Sequence, residues 1–133
     1  MLYEDDVIDA VRDHLTREGW RIVSRCYAHE RGDDLVAERD GQRLVIEAKG
    51  AGSSKSGTAR YGLAFSANQV TDHVAKAVLR ALGVVSAGRH RAAVALPGNA
   101  HHRAQVAKVR AALDQLGIIV FFVADDHTVT GAP

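Results

Sequence analysis

Apolar residues recur at helical spacing in three stretches of this chain. The first covers residues 4–18 and ends at Gly19, a residue type that commonly terminates helices. The second begins at Ser66, where the spacing of a capping box marks a helix start, and extends to about Leu82. The third covers residues 99–116. Each stretch predicts a helix with one apolar face.

Shorter stretches have the pattern of β-strands, and they cover residues 20–27, 34–39, 43–49, 91–96 and 118–124. The last stretch is apolar throughout, which predicts a strand that is covered on both faces. Together with the helices, these strands give the order α-β-β-β-α-β-α-β. This order predicts an α/β fold in which helices flank both faces of a mixed β-sheet, formed by a single domain over residues 1–133.

The second and third strands are predicted to form a hairpin around the turn dipeptide Asp40-Gly41. If these two residues form the whole turn, Asp34 faces Glu47, and their Cβ atoms lie about 4.5–5.5 Å apart on one face. Lys49 follows Glu47 by two positions and shares its face, whereas Asp33 is expected on the opposite face. The sequence therefore places two carboxylates and an ammonium group together at the open end of a hairpin.

Two facing carboxylates repel each other, so their proximity needs an explanation. A cation can bridge them, one of them can carry a proton, or water can solvate both. Carboxylate oxygens suit Mg²⁺ or Mn²⁺ better than zinc. A metal ion held by Asp34 and Glu47 would generate a hydroxide nucleophile and offset phosphate charge. Lys49 could then orient that nucleophile or neutralise the charge at the pentacovalent phosphorus.

Glu4 is a candidate fourth group of this site. It lies on the apolar stripe of the first predicted helix, with Ile8, Val11 and Leu15. A carboxylate at the end of a core-facing stripe is costly unless it is paired or linked to a metal ion. The alternative is an ordinary acidic residue of the first turn, which the helix dipole favours.

Two segments together resemble a known nuclease motif. The run Gly32–Ala37, followed by Glu47-Ala48-Lys49-Gly50, is similar to the motif of the PD-(D/E)XK nuclease superfamily, which has the restriction-endonuclease-like fold. Its small Mrr-type and archaeal Holliday-junction-resolvase-like members look most similar. The resemblance covers roughly residues 1–97 as the core, with residues 98–133 as an additional helix and strand.

The resemblance implies a metal-dependent phosphodiesterase. Asp34 would correspond to the motif aspartate, and Glu47 and Lys49 to the glutamate and lysine of E-x-K. Glu4 would correspond to the acidic residue that many members carry on the first helix. The chain departs from the family pattern in two respects. Asp33 stands where the motif has a proline before the acid, so Asp33 could compete with Asp34 for the role of the motif aspartate. The distance from Glu4 to Gly19 is also longer than in many resolvase-like members.

Charge is distributed unevenly along the chain. Residues 1–50 contain twelve acidic and eight basic side chains, a net charge of −4, whereas residues 51–133 contain nine basic and four acidic ones, a net charge of +5. A basic half beside an acidic cluster indicates a polyanion such as DNA as partner, with a metal ion nearby. Ordinary surface charge is the alternative.

The second predicted helix carries a mostly basic stripe. Gln69, His73, Lys76 and Arg80 recur on one face of it, where they could contact phosphates beside the metal ion. A solvated helix face would give the same pattern, and Gln69 could serve only as the partner of the Ser66 cap.

A long segment rich in glycine and serine follows Lys49 directly. It extends from Gly50 to Gly62 and carries Lys55 and Arg60, which are predicted to contact a nucleic-acid backbone. A plain flexible connector is the alternative reading.

Several features restrict the class of protein. The longest apolar run, residues 117–124, is too short to cross a membrane, and the N-terminus is too acidic for a signal peptide. One cysteine, Cys26, cannot form an internal disulfide, so we expect a cytoplasmic protein without membrane contact. We also expect Cys26 to be buried on a strand, Trp20 to lie in the core, and His101 and His102 to lie on the surface.

These patterns together predict a Mg²⁺- or Mn²⁺-dependent nuclease that acts on DNA. The chain has no separate specificity domain, so we expect structure-selective cleavage or delivery by a protein partner. Cleavage of a duplex usually needs two active sites, which favours a two-fold homodimer. The alternative is a non-catalytic module that binds nucleic acid or protein and keeps the nuclease fold.

Overall fold

The computed structural model describes residues 1–27, 31–53 and 62–133. In these residues the chain forms α1 (Glu4–Arg17), β1 (Arg21–Arg25), β2 (Leu35–Arg39), β3 (Gln42–Ala48), α2 (Ala67–Ala87), β4 (Arg91–Pro97), α3 (Ala100–Ala107), α4 (Arg110–Gln115), β5 (Ile119–Val123) and β6 (Val129–Thr130). None of these helices is long and apolar enough to cross a membrane. The first predicted helix and all five predicted strands are confirmed, with ends that differ by at most two residues.

All six strands join one mixed sheet in the order β1-β2-β3-β4-β5-β6. The strands from β1 to β3 are antiparallel neighbours, β3 to β5 are parallel, and β6 is antiparallel to β5. α2 connects β3 to β4, and α3 and α4 connect β4 to β5. Because both connections run in the same direction along the sheet and such crossovers are right-handed, these helices lie on one face. Because α1 packs on the other face, the predicted mixed sheet with helices on both faces is confirmed.

An apolar core lies on each face of the sheet. The core beneath α1 includes Val7, Ile8, Val11, Leu15, Trp20, Leu35, Ala37, Leu44, Ile46 and Phe121. The core beneath the other helices includes Val70, Val74, Ala77, Ala81, Val94, Leu96, Val106, Leu113, Val120 and Phe122. Burying one large side chain of this kind contributes roughly 1.5–3 kcal/mol, so these two layers hold the helices in place. The prediction that Trp20 lies in the core is confirmed.

The β2–β3 hairpin has the predicted two-residue turn. Asp40 and Gly41 have φ angles of 52° and 77°, which is the left-handed geometry of a type I′ turn. Leu35 therefore pairs with Ile46, in the register that a two-residue turn requires. This register fixes which side chains meet at the open end of the hairpin.

Two helices differ from the prediction. α2 continues beyond Leu82 to Ala87 and ends at Gly88, whose φ of 73° is the left-handed conformation of a helix cap. The predicted helix over residues 99–116 is broken into α3 and α4 at Val109, which has a φ of −126°. The two-residue strand β6 was not predicted, because so short a segment has no detectable alternation.

Two predictions about burial are wrong. His102 is fully buried, whereas His101 is exposed as predicted. The His102 Nδ1 lies 2.7 Å from Oδ1 of Asn99, the N-cap residue of α3, and the ring is shielded from solvent. Cys26 follows the last residue of β1 and is only partly buried, with its Sγ donating to the carbonyl of Arg31 at 3.4 Å.

Candidate active site

Three predicted site residues meet where the β2–β3 hairpin opens. Asp34 lies immediately before β2, and its Oδ2 accepts the backbone N–H of Ala48 at 2.8 Å. Lys49 Nζ lies 3.5 Å from Oε1 of Glu47, and the two side chains are only 20% and 14% exposed. The carboxyl groups of Asp34 and Glu47 are close enough to interact electrostatically. We call Asp34, Glu47 and Lys49 the hairpin cluster.

Asp33 lies closer to this cluster than strand alternation predicts. Its Oδ1 is 3.4 Å from Nη2 of Arg80, and Nε of the same arginine is 3.8 Å from Oε2 of Glu47. The expectation that Asp33 turns away from Glu47 is therefore wrong. The chain bends before β2 begins at Leu35, so the alternation of the strand does not extend back to Asp33.

Glu4 reaches the cluster because the start of α1 lies directly against the segment that follows β3. A Cβ atom at Gly50 would be 2.4 Å from the backbone nitrogen of Glu4 and 2.8 Å from the carbonyl carbon of Tyr3. Only glycine allows so close an approach of two backbones. Glu4 is half-buried there and interacts electrostatically with all three members of the hairpin cluster.

Burial raises the pKa values of all three carboxyl groups, and for Glu4 and Glu47 the charge of Asp34 adds to this effect. Burial, followed by the charge of Asp34, raises the pKa of Glu4 from 4.5 to about 7. Burial raises the pKa of Asp34, although its backbone hydrogen bond and Lys49 act in the opposite direction. Burial and the charge of Asp34 also raise the pKa of Glu47, against the effect of Lys49 and Arg80. The site therefore holds protons or cations more readily than exposed carboxylates do.

α2 adds a histidine to the side of the cluster. His73 packs edge-on against Phe65, with 4.3 Å between the ring centroids. Its Nδ1 is buried and has no hydrogen-bond partner among the described residues. Burial, followed by the charge of Lys49, lowers the pKa of His73, and burial lowers the pKa of His102 behind it to about 4. Both rings are therefore uncharged at neutral pH.

The other residues that were predicted to contact nucleic acid occupy different positions. Gln69 completes the α2 cap, because its Oε1 accepts the N–H of Ser66 at 2.8 Å. Lys76 is exposed on α2. Lys55 and Arg60 lie outside the described residues.

The donor set fits a hard divalent cation. Asp34 and Glu47 offer a pair of carboxylates with raised pKa values at the end of β3. In the described parts of the chain, no group of three or more His, Cys, Asp or Glu side chains could hold a metal ion. Mg²⁺ commonly binds through one or two carboxylates and retains water or substrate phosphates as its other ligands.

The sequence reasoning missed two features of the site. Arg80 was assigned only to the α2 stripe, although it contacts both Asp33 and Glu47. Its position seven residues after His73 placed it on the correct face, but nothing in the sequence specified its partners. The close approach of Gly50 to α1 had no sequence signal beyond the position of this glycine directly after Lys49.

Comparison with known proteins gives a relationship at the level of the fold. No protein-family model matches the chain, and no curated protein matches it. Among solved structures, the chain is similar to an FdxN element excision controlling factor protein from Anabaena variabilis, with a TM-score of 0.58 and 16% sequence identity. The match covers 95% of this chain and 96% of the other. At this identity, the similarity shows a shared α/β fold alone.

Proposed function

We propose that this chain is a metal-dependent phosphodiesterase that cleaves DNA, with the restriction-endonuclease-like fold of the PD-(D/E)XK nucleases. The observation that carries the proposal is the gathering of Glu4, Asp34 and Glu47, all with raised pKa values, around Lys49. Concentrating like charges in a partly buried site is costly, and such sites are enriched in functional groups. Their position at the carboxyl end of β3 agrees with the usual ligand-binding edge of α/β sheets.

Asp34 and Glu47 would hold the Mg²⁺ or Mn²⁺ ion. When bound, such an ion supplies a water molecule of lowered pKa and offsets the charge of a phosphate group. The backbone N–H of Ala48 fixes the orientation of Asp34 without removing its charge. This supports a role for Asp34 as a pre-oriented ligand.

Lys49 and Glu4 would complete the site. Lys49 lies against Glu47 at 3.5 Å, where its charge stabilises the negative charge that develops at phosphorus. Glu4 has a pKa of about 7, which suits a group that accepts or donates a proton at neutral pH.

DNA is the substrate that the charge distribution favours. The half of the chain after residue 50 has a net charge of +5, and its helix α2 carries Arg80 beside Glu47. Lys76 and the uncharged His73 of the same helix are proposed to contact the DNA backbone. Lys55, Arg60 and Gln69 are proposed to add backbone contacts. A domain of this size covers few phosphates, so we propose a structure-selective or partner-delivered nuclease that acts as a homodimer.

The second candidate is a non-catalytic module that binds nucleic acid or protein. It is favoured by the ion pairs of Glu47, because Lys49 and Arg80 face its two oxygens and already offset part of its negative charge. A site of this kind can be stable without a metal ion. The similar protein from Anabaena variabilis is described as a controlling factor of element excision, and a controlling role need not include catalysis.

Cleavage of a panel of DNA structures separates the two candidates. Labelled linear, nicked, flapped and four-way DNA would be incubated with Mg²⁺, Mn²⁺ or EDTA and with wild type, Asp34→Asn/Glu47→Gln or Glu38→Gln. Glu38 is the matched control, because it is an ion-paired acid on the same hairpin, bound to Arg21 and Arg43 away from the site. We expect metal-dependent cleavage by wild type and Glu38→Gln, and a loss of about 10³-fold in the double variant.

Two other outcomes would change the conclusion. If no variant cleaves any DNA and all bind it equally, the non-catalytic module is the correct description. If the double variant cleaves as fast as wild type, the activity does not belong to the hairpin cluster.

A further inference from the structure

Arg80 provides one of two cations that face the same carboxylate. Its Nε is 3.8 Å from Oε2 of Glu47, while Lys49 Nζ is 3.5 Å from Oε1. Each oxygen of Glu47 therefore faces a positive charge. A divalent cation that binds Glu47 is repelled by both charges, and this repulsion falls if one of them moves away.

The two cations differ in how readily they can move. Lys49 follows directly after β3, its side chain is 20% exposed, and its backbone N–H donates to the carbonyl of Ala95 at 3.0 Å. Arg80 lies on α2 with a side chain that is 50% exposed. Arg80 also has a second anchor, because its Nη2 is 3.4 Å from Oδ1 of Asp33. Arg80 can therefore leave Glu47 and still keep an acidic partner.

We propose that Arg80 competes with the divalent cation for Glu47, and that metal binding moves its guanidinium onto Asp33, where it contacts a phosphate of the substrate. This inference rests on the proposed function. Before the metal ion binds, Arg80 neutralises part of the charge of Glu47. After the metal ion has bound, Arg80 contacts a phosphate of the substrate.

The chemistry of arginine suits both roles. A guanidinium group carries a permanent charge and presents several donors in one plane, so it can keep a carboxylate partner and still offer N–H groups to phosphate oxygens. Asp33 is 43% exposed, which places its partner at the surface that a substrate would approach. A lysine at this position would offer one point charge and could not contact both groups in this manner.

Calorimetric titration with Mn²⁺ tests the competition without measuring activity. Wild type, Arg80→Gln, Arg80→Lys and Lys76→Gln would be compared at low ionic strength. We expect Arg80→Gln to bind Mn²⁺ about tenfold more tightly than wild type, and Arg80→Lys to fall between the two. Lys76→Gln removes one exposed charge from the same helix, and we expect a change of less than about twofold.

Single-turnover cleavage at saturating Mn²⁺ tests the second role. We expect Arg80→Gln to cleave about 10- to 100-fold more slowly than wild type, although it binds the metal ion more tightly. Tighter metal binding together with slower cleavage would not be expected if the Arg80–Glu47 ion pair served only to stabilise the fold. Unfolding midpoints would show whether each variant is folded at the temperature of the assay, and Arg80→Lys provides a second folded variant with the charge retained.

The results distinguish failure of this inference from failure of the proposed function. If wild type binds Mn²⁺ and cleaves DNA, but Arg80→Gln changes metal affinity no more than Lys76→Gln does, the competition is overturned. If Arg80→Gln binds metal more tightly and cleaves as fast as wild type, the phosphate-binding role is overturned. If wild type neither binds Mn²⁺ nor cleaves, the proposed function fails and this inference fails with it.

Discussion

At the scale of single residues, Glu47 lies at the centre of the candidate site. Lys49 and Arg80 approach its two oxygens at 3.5 and 3.8 Å, and Asp34 repels it from the neighbouring strand end. Attraction and repulsion on one partly buried carboxyl group make its charge sensitive to any cation that enters. The charges around Glu47 therefore decide the protonation of the site and would decide its affinity for the proposed metal ion.

Replacing Lys49 tests whether its charge acts on the reaction or on metal binding. We expect Lys49→Met to retain Mn²⁺ binding, because Asp34 and Glu47 remain, and to lose about 10²–10³-fold in the rate of cleavage. Calorimetry and single-turnover cleavage would measure the two effects separately. A variant that cleaves normally would show that Lys49 serves only as the ion-pair partner of Glu47.

The raised pKa of Glu4 predicts how stability depends on pH without divalent cations. The folded state binds the Glu4 proton more tightly than the unfolded state does, since its pKa is about 7 instead of 4.5. The free energy of unfolding therefore falls as pH rises through this window. The shift is worth at most about 3 kcal/mol, and screening by solvent at this partly open position reduces the contribution to roughly 1–2 kcal/mol.

Glu4→Gln should remove most of this dependence. We expect the variant to be more stable than wild type at pH 8 in EDTA and to show a smaller loss between pH 5 and pH 8. Urea unfolding at several pH values would measure both. If the free energy of unfolding changes with pH in the same way in both proteins, the pKa of Glu4 is not raised.

Contacts that depend only on local spacing could be predicted at this scale. The meeting of Asp34 with Glu47 follows from a two-residue turn and the alternation of strands. The contact of Arg80 with Glu47 depends on how α2 packs across the sheet, which no local pattern specifies. The burial of His102 was missed for the same reason, because its surroundings come from the packing of α3 against α2.

At the scale of elements, α1 and α2 carry side chains to the hairpin cluster from opposite faces of the sheet. α1 is held by its apolar face and by Arg25 of β1, whose nearly buried guanidinium lies 2.8 Å from Asp9. α2 begins with a capping box in which Ser66 and Gln69 satisfy each other's backbone N–H groups. The positions of Glu4 and Arg80 therefore depend on how firmly these two helices begin and pack.

Removing the α2 cap should destabilise the protein. In Ser66→Ala the N–H of Gln69 loses its acceptor at 3.3 Å, and we expect a cost of about 1 kcal/mol in the free energy of unfolding. Ser86→Ala, near the exposed end of the same helix, is the control and should change stability by less than about 0.5 kcal/mol. Equal effects in the two variants, measured by urea unfolding, would contradict the capping role.

Elements with a clear periodicity or turn signal could be predicted, and the others could not. The Asp40-Gly41 turn and the Ser66 cap each have a specific local chemistry, and both are confirmed. The break between α3 and α4 at Val109 contains neither glycine nor proline, so the apolar period continued through it. β6 is stabilised by its pairing with β5 rather than by its own sequence pattern.

At the scale of the whole molecule, one sheet separates two apolar layers and leaves the carboxyl groups at the end of its third strand. The acidic first half of the chain contributes Glu4, Asp34 and Glu47, and the basic second half contributes α2 with Arg80. The fold therefore brings a cluster of carboxyl groups and basic side chains together. This combination suits a metal ion and a polyanion in the same site.

The unfolding midpoint of the whole protein in Mg²⁺ tests the central claim most directly. A ligand that binds only the folded state raises the midpoint, and the carboxyl groups of the hairpin cluster are the proposed ligands. At pH 8, we predict that Mg²⁺ raises the midpoint of wild type and of Glu38→Gln by about 2–6 °C relative to EDTA, and leaves that of Asp34→Asn/Glu47→Gln unchanged. No shift in wild type, or an equal shift in the double variant, would contradict the account.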